Sequence, residues 1–389
     1  MTKMPFLEEH SSIVQSLKPR ISYGVSGRSD FGAYQSLATY SANGNYLIDG
    51  TWVTGYRPSN NANPVLGWEK ATALNVGVDF MLWNRLHGSI EYFDRQSRDL
   101  LYNYTAPQPP YVYSNILVNV GTTKNTGIEV ALNGEVIVDQ PVTWSTGINY
   151  AYGTTKVTKL SNSIYKASYL DLYQKPGVGT SEYFFRYEEG SKVGEFYGYK
   201  YAGYDDAHNM LVYNKDGEKI PAASANPEDK VYIGNGEPKH FLTWNNTVRY
   251  KSWDLSVMFQ GAFGFQIFNM RKYGMGLQGS GSDNVFRSAY LADKDVWTGG
   301  GVISSYFLEN GDYFKLQNVT LGYSFPFHNN RLIDSLRIYL SAKNLFTLTK
   351  YTGNDPSIVT STGITPGVDT NSAYPSAAQV TLGVTFRFR

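Results

Sequence analysis

The chain has 389 residues, a formal net charge of +1, no cysteine, only 17% charged residues and as much as 15% aromatics, with 38 glycines and 32 tyrosines. Near-neutral charge without a basic cluster argues against nucleic acid, whose binders carry a basic patch to neutralise phosphates, and the lack of cysteine removes disulfides, thiolate nucleophiles and Cys-based zinc sites. Aromatic residues favour strands, and glycine favours tight turns and close backbone approach, so an all-β chain is expected.

The N-terminal stretch "MTKMPFLEEHSSIVQSLKPRISYG" lacks the apolar core of a signal peptide, so none is expected. No run of 18 apolar residues exists, which excludes a transmembrane helix but not a membrane barrel, whose strands hide in alternation. That alternation begins at "TALNVGVDFML", where Leu74, Val76, Val78 and Phe80 oppose Asn75, Gly77 and Asp79. It recurs in "TGIEVALNGEVI", "TWSTGINYAY", "FLTWNNTVRY" and "DLSVMFQGAFG". Further on, Val319, Leu321, Tyr323 and Phe325 oppose Asn318, Thr320, Gly322 and Ser324, and Leu336, Ile338, Leu340 and Ala342 oppose Arg337, Tyr339, Ser341 and Lys343. Val380, Leu382, Val384, Phe386 and Phe388 close the series. A period of two means a strand with unlike faces. About 10–12 such strands are expected, each long enough to cross a bilayer in about 9–11 residues when tilted.

Connections differ in length at the two strand ends. "MLWNRLHG", "VIVDQPVTW" and "RYKSWDL" are brief, whereas "YNYTAPQPPYVYSNILVNVGTTKN" and the stretches after Lys156 and Tyr351 are long, polar and rich in Gly, Pro, Ser, Thr and Tyr. Outer-membrane barrels show this asymmetry, with short periplasmic turns and long extracellular loops. Trp83 and Trp253 lie beside short turns, and Tyr150 and Tyr152 are expected to close a strand, as interfacial rings would. A soluble sandwich also spends aromatics this way. The polar parity separates the two: Asn75, Asp79, Glu129, Asn133, Asn149, Asn245, Arg249 and Gln260, with Arg337 and Lys343, would sit badly in a sandwich core and suit a water-filled lumen. The expected architecture is an antiparallel transmembrane β-barrel, one barrel-forming unit over residues 1–389.

Several motifs then resemble one family. "NPVLGWEKATALNVGVDFMLWNRLHGSIEYFDRQSRDLLYN", "VGTTKNTGIEVALNGEVI", "VGEFYGYKYAGYDD", "IGNGEPKHFLTWNNTVRYKSWDLSVMFQGAFGFQIFN", "DYFKLQNVTLGYSFP" and "LRIYLSAKNLFTLTKYTGNDP" are similar, in order, to the barrel segment of SusC/RagA-type TonB-dependent outer-membrane transporters. The resemblance implies an outer-membrane location and the second half of a 22-stranded, plugged barrel. It also implies a SusD-like lipoprotein partner, contact with outer-membrane lipid, energy from TonB through the plug only, and import of oligosaccharides or oligopeptides. The plug and the first barrel half have no counterpart here. Such barrels usually finish on an aromatic residue, whereas this chain ends Phe388-Arg389.

Catalysis and cofactors are not expected. His10, His87, His208, His240 and His328 are scattered, and no HExxH, GxSxG or P-loop occurs. His87 lies on the polar parity beside Ser89 and Glu91, where a structural role is expected. Asp205, Asp206, Asn214, Asp216 and Glu218 are calcium-type oxygens, but their spacing is not that of an EF-hand, and "KDG" reads as a hairpin turn. In "YTGNDPS", Ser357 stands where the family frequently has an acid, and a turn into a long loop is expected. The loop residues Tyr104, Tyr111, Tyr113, Tyr165, Tyr169, Tyr173 and Trp297 are candidates for gripping a sugar or peptide, or for packing against a lid partner. Three readings stand: one wall of a SusC-like import channel, a non-transporting or split-gene structural subunit whose open edges need a partner, and a soluble β-sandwich.

Overall fold

The computed structural model describes residues 12–29, 31–162, 165–175, 182–207, 209–275, 286, 302–327, 332–357, 363–370, 374 and 376–388. Its frame is a meander of ten long strands: β1 (Val14–Arg28), β2 (Glu69–Leu82), β3 (Leu86–Arg98), β4 (Thr122–Ile137), β5 (Val142–Lys159), β6 (His240–Tyr250), β7 (Trp253–Phe263), β8 (Tyr313–Pro326), β9 (Ile333–Lys343) and β10 (Gln379–Phe388). Each pairs antiparallel with the next, and the short strand Thr347–Thr349 adds to β8. Several strands exceed what a bilayer needs, β5 with 18 residues most of all, so the wall projects beyond the apolar layer.

Period-two alternation becomes two continuous faces because directly opposed residues share a side. One lateral row runs Trp144, Val248, Leu255, Leu321, Leu340, Leu382 across six strands. On the opposite face a row runs Asp79, Ser89, Ala131, Asn149, Thr243, Gln260, Lys315. A one-residue slip in any strand would mix these faces, so the pattern itself specifies register. The apolar face is bare: Leu321, Leu340 and Leu382 are 44%, 51% and 72% exposed, an arrangement suited to hydrocarbon and costly in water.

Turns at one end include residues 83–85, 138–141 and 251–252, and the long connections that follow β1, β3, β5, β7 and β9 leave from the other. Trp83, Asn84 and Lys251 adopt positive φ in those turns, and Trp253 stacks edge-on against Tyr323 at 4.8 Å on the apolar face. Tyr150 and Tyr152 do not close a strand. β5 continues to Lys159 and pairs with Thr122 of β4, so both rings sit within the ladder on the apolar face, opposite Val130 and Ile128. The same pairing to β4 keeps Gly153, Thr154 and Thr155 extended.

The largest buried cluster lies mainly outside the wall. Among the described residues five small sheets form in the long connections, and three of them pack together: Leu170–Gln174, Tyr183–Tyr187, Glu195–Gly198 and Val231–Asn235; Tyr201–Tyr204, Met210–Tyr213 and Lys219–Pro221; and Gln266–Asn269, Leu308–Asn310 and Val368–Asp369. They enclose Phe184, Phe185, Phe196, Phe268, Ile303 and Phe307, all fully buried. Phe185 stacks on Phe196 at 4.9 Å, and Phe184 meets Phe268 edge-on at the same distance. Expected as polar loops, these segments form a packed body, because aromatics recur inside them at strand spacing.

A pair of neighbouring substitutions tests the two faces. Leu321→Arg should destabilise the folded protein in lipid by about 2–4 kcal/mol, whereas Thr320→Arg, one residue away on the polar face, should cost little. Urea titration of the protein refolded in bilayers would read the difference, and equal costs would contradict the assigned faces.

Candidate functional site

All ten sequence-selected polar residues fall on one face. Asn75 opposes Ser22, Asp79 opposes Ser89, Glu129 opposes Glu91, Asn133 opposes His87, Asn149 opposes Thr243, Asn245 opposes Met258, Arg249 opposes Asp254, Gln260 opposes Lys315, Arg337 opposes Ser324, and Lys343 opposes Asn318. They are not gathered at one point. Two concavities collect some of them: one of about 240 Å³ bordered by Arg20, Glu91, Glu129, Asn149 and Thr243, and one of about 500 Å³ near the short turns bordered by Arg249, Asp254, Ser256, Ser324 and Arg337.

Charge on this face is arranged by one repeated device. Glu91 and Glu129 stand directly opposite across β3 and β4, which like charges disfavour. Arg20 of β1 reaches across β2 to bond Glu91 at 2.8 Å and also meets Asp79 at 3.1 Å. Its path crosses Gly77, the residue paired with both Arg20 and Glu91. Likewise Arg337 of β9 crosses β8 to grip Asp254 of β7 at 2.5 and 2.9 Å, passing over Gly322. A Cβ on Gly322 would lie 2.5 Å from the guanidinium and 2.7 Å from the carboxylate, so any larger residue would have to displace the bridge from this position. Sequence reading picked Arg337 but missed Arg20, Asp254 and both glycines. Their signal is a glycine on the polar parity of the strand between two opposite charges.

The loop tyrosines make contacts within the chain. Tyr104 and Tyr165 meet at 5.1 Å and, with Tyr111, cover a small core of Ala106, Ile116, Val118 and Val120. Tyr113 donates to the Pro58 carbonyl. Tyr169 lies under the Arg186 guanidinium at 3.8 Å, itself held bidentately by Asp171, and Tyr173 packs on Phe184. Trp297 lies outside the described residues, as do His10, His208 and His328. The acidic stretch is spent on turns: Asp205 accepts from the backbone N–H of Ala207 and Asn209, and Asn214 from those of Asp216 and Glu218, around Gly217 at φ +81°. Among the described residues no three His, Cys, Asp or Glu side chains come together as a metal would require.

"YTGNDPS" does more than turn. Asp355 forms a buried pair with Lys315 of β8 at 3.0 Å, both side chains under 10% exposed, and Ser357 supplies its backbone N–H and hydroxyl to the same carboxylate. Burial alone would raise this carboxyl, but hydrogen bonds from Ser357, Ser376 and Lys315 hold it below the ordinary carboxylate value. Nearby, Tyr351 donates to Asp369 at 2.6 Å, and burial followed by that carboxylate pushes its phenol upward. The serine that replaces the expected acid is thus a ligand of the buried pair.

These features are those of a transmembrane β-barrel wall, and comparison with known proteins agrees. The profile of the TonB dependent receptor-like β-barrel family matches residues 12–345. The chain belongs to that family. Its place is accordingly the cell outer membrane. TonB-dependent receptor P3 of Formosa agariphila is 30% identical over 421 residues, covering all of this chain and 41% of its own length. TonB-dependent receptor SusC of Bacteroides thetaiotaomicron is 26% identical and covers 97% of this chain and 38% of its own. Solved structures of the RagAB peptide importer in "closed-closed" and "open-open" states superpose with TM-scores of 0.79 and 0.81 at 26% and 25% identity, over 97% and 98% of this chain and 42% and 41% of theirs. The chain spans about two fifths of the length of these relatives, which are named as receptors and transporters rather than enzymes.

The charge arrangement can be tested at two places. Gly322→Leu should separate Arg337 from Asp254 and lower the melting temperature, while Gly24→Leu, at an open position of β1, should not; equal shifts would contradict the crossing role. Lys315→Met leaves Asp355 buried and unpaired and should cost about 3–5 kcal/mol, much of it recovered in Lys315→Met/Asp355→Leu. Because the Asp355 carboxyl is lowered on folding, its contribution is full above the ordinary carboxylate value of about 4 and is lost as pH falls through the lowered one. Thermal melts of wild type and Asp355→Asn against pH should therefore converge only in strong acid.

Proposed function

We propose that the chain forms one wall of an outer-membrane channel importing oligomeric nutrients, oligosaccharides or oligopeptides. Within that channel the ten polar-face residues line a water-filled lumen, the long connections lie at the extracellular end, and a SusD-like lipoprotein covers them. Gating and TonB coupling come from the remainder of the assembly. The observation that carries this reading is the segregation of faces: a polar face on which Arg20–Glu91 and Arg337–Asp254 pair while still part-exposed, backed by an apolar face that water would not tolerate. The likeness to solved structures of a peptide importer supports it.

The lumen face solvates cargo without trapping it. Its ion pairs run along the wall and keep these charges neutralised rather than free to bind a solute tightly, as conduction requires. A second reading, a structural subunit that completes another protein's barrel, draws on the two outermost strands: among the described residues β1 and β10 each have one neighbour.

Uptake by cells decides between them. Fluorescent oligosaccharide and oligopeptide pools should enter cells carrying the native locus and fail to enter when this chain is deleted. Asn149→Trp and Thr243→Trp, which narrow the lumen face, should slow uptake at unchanged surface display. Undiminished uptake after deletion would overturn the importer reading and leave the structural one.

A further inference from the structure

Where the loop body joins the wall, a concavity of about 550 Å³ lies between the edge strand Val231–Asn235, the start of β6 and the segments flanking β7 and β8. Its volume suits a small ligand. Glu195, Tyr232, Lys239, Gln266, Asn310 and Asp312 border it, and their polar ends are arranged in one way.

Four of them are each held by one atom, leaving the other free among the described residues. Gln266 accepts the Asn235 backbone N–H at 3.3 Å, and Asn310 accepts that of Asp312 at 2.7 Å. Since each anchor is a donor, the amide oxygen must face it, which fixes both amides with their NH₂ groups unengaged. Glu195 accepts from the Lys192 N–H at 2.9 Å and Asp312 from the Gly264 N–H at 2.6 Å, each through one oxygen only. Among the described residues Lys239 has no acidic partner within ion-pair distance, and its stem runs past Gly264, where a Cβ would sit 3.4 Å away. Backbone bonds to Phe263 and from Gly153 carry the ladder through Lys239, on the parity of Thr243 and Asn245. Tyr232 offers a ring 40% exposed.

Free donors and acceptors therefore border one aromatic ring, four of them with their conformations already set. Vicinal hydroxyls, each both donor and acceptor, match that pattern. An extended peptide would instead seek the free edge of Val231–Asn235. That edge is closed at Asn235, whose N–H is taken by Gln266. We propose that this concavity is a saccharide-binding subsite at the channel mouth, taking a neutral hydroxyl-rich chain; the assignment rests on the importer reading and narrows its cargo to glycans.

The test uses the native complex extracted in mild detergent, titrated calorimetrically with neutral glucan, mannan and xylan oligomers and with peptides of similar mass. At least one oligosaccharide series should bind and the peptides should not. Gln266→Glu and Asn310→Asp keep the anchoring oxygen and abolish the outward donor, and each should weaken binding about tenfold at unchanged melting temperature. Lys239→Met, which keeps the stem, should also weaken it. Binding of peptides that the same variants weaken, failure of every oligosaccharide, or wild-type affinity in all three variants would overturn the proposal. Uptake assays on these variants separate the two readings: unimpaired glycan uptake without binding refutes the subsite, whereas binding without any uptake refutes the importer.

Discussion

In hydrocarbon no water is available to satisfy a backbone amide, so each N–H and C=O within the bilayer must pair with a neighbouring strand. Everything else in this chain follows from that constraint. It demands long, regular, antiparallel ladders, and regular ladders force successive side chains to opposite sides. One side must then be oily and the other is free to be polar. The apolar row from Trp144 to Leu382 and the polar row from Asp79 to Lys315 are two consequences of one backbone requirement.

Polar side chains on a sheet face still have to be reconciled with one another. Arg20 and Arg337 reach across an intervening strand at Gly77 and Gly322, which present no side chain; Arg20 thereby ties β1, β2 and β3 together, and Arg337 joins β9 to β7 over β8. Such bridges are part-exposed, so their contribution is modest and salt-sensitive. Their greater effect is on shape: they hold charge flat against the wall. The buried Lys315–Asp355 pair differs, joining the wall to the last long connection with almost no solvent access.

The wall was legible in the sequence because its signal is local. Period-two alternation in "LRIYLSAK" or "TALNVGVDFML" reports both faces from a handful of residues, and the unequal connection lengths report orientation. The strand ends were less legible: β5 runs past Tyr152 because its extension is set by pairing with Thr122–Gly127, information held by another segment. The loop body was not legible as a body. Phe184, Phe196, Phe268 and Phe307 come from stretches far apart in the chain, and nothing local says that they meet. Nor could spacing reveal that Gln266 and Asn310 would be anchored with their donors outward, since that depends on how the fold places Asn235 and Asp312 against them.

The absence of native cysteine permits the most direct test of the two-faced wall. Single cysteines would be placed in turn at positions 336 to 343 of β9, from Leu336→Cys to Lys343→Cys, and labelled in intact outer membranes with a charged, water-soluble maleimide. Labelling at the Arg337, Tyr339, Ser341 and Lys343 positions, with protection at Leu336, Ile338, Leu340 and Ala342, is the expected result. Uniform labelling along β9, or the opposite parity, would contradict the account.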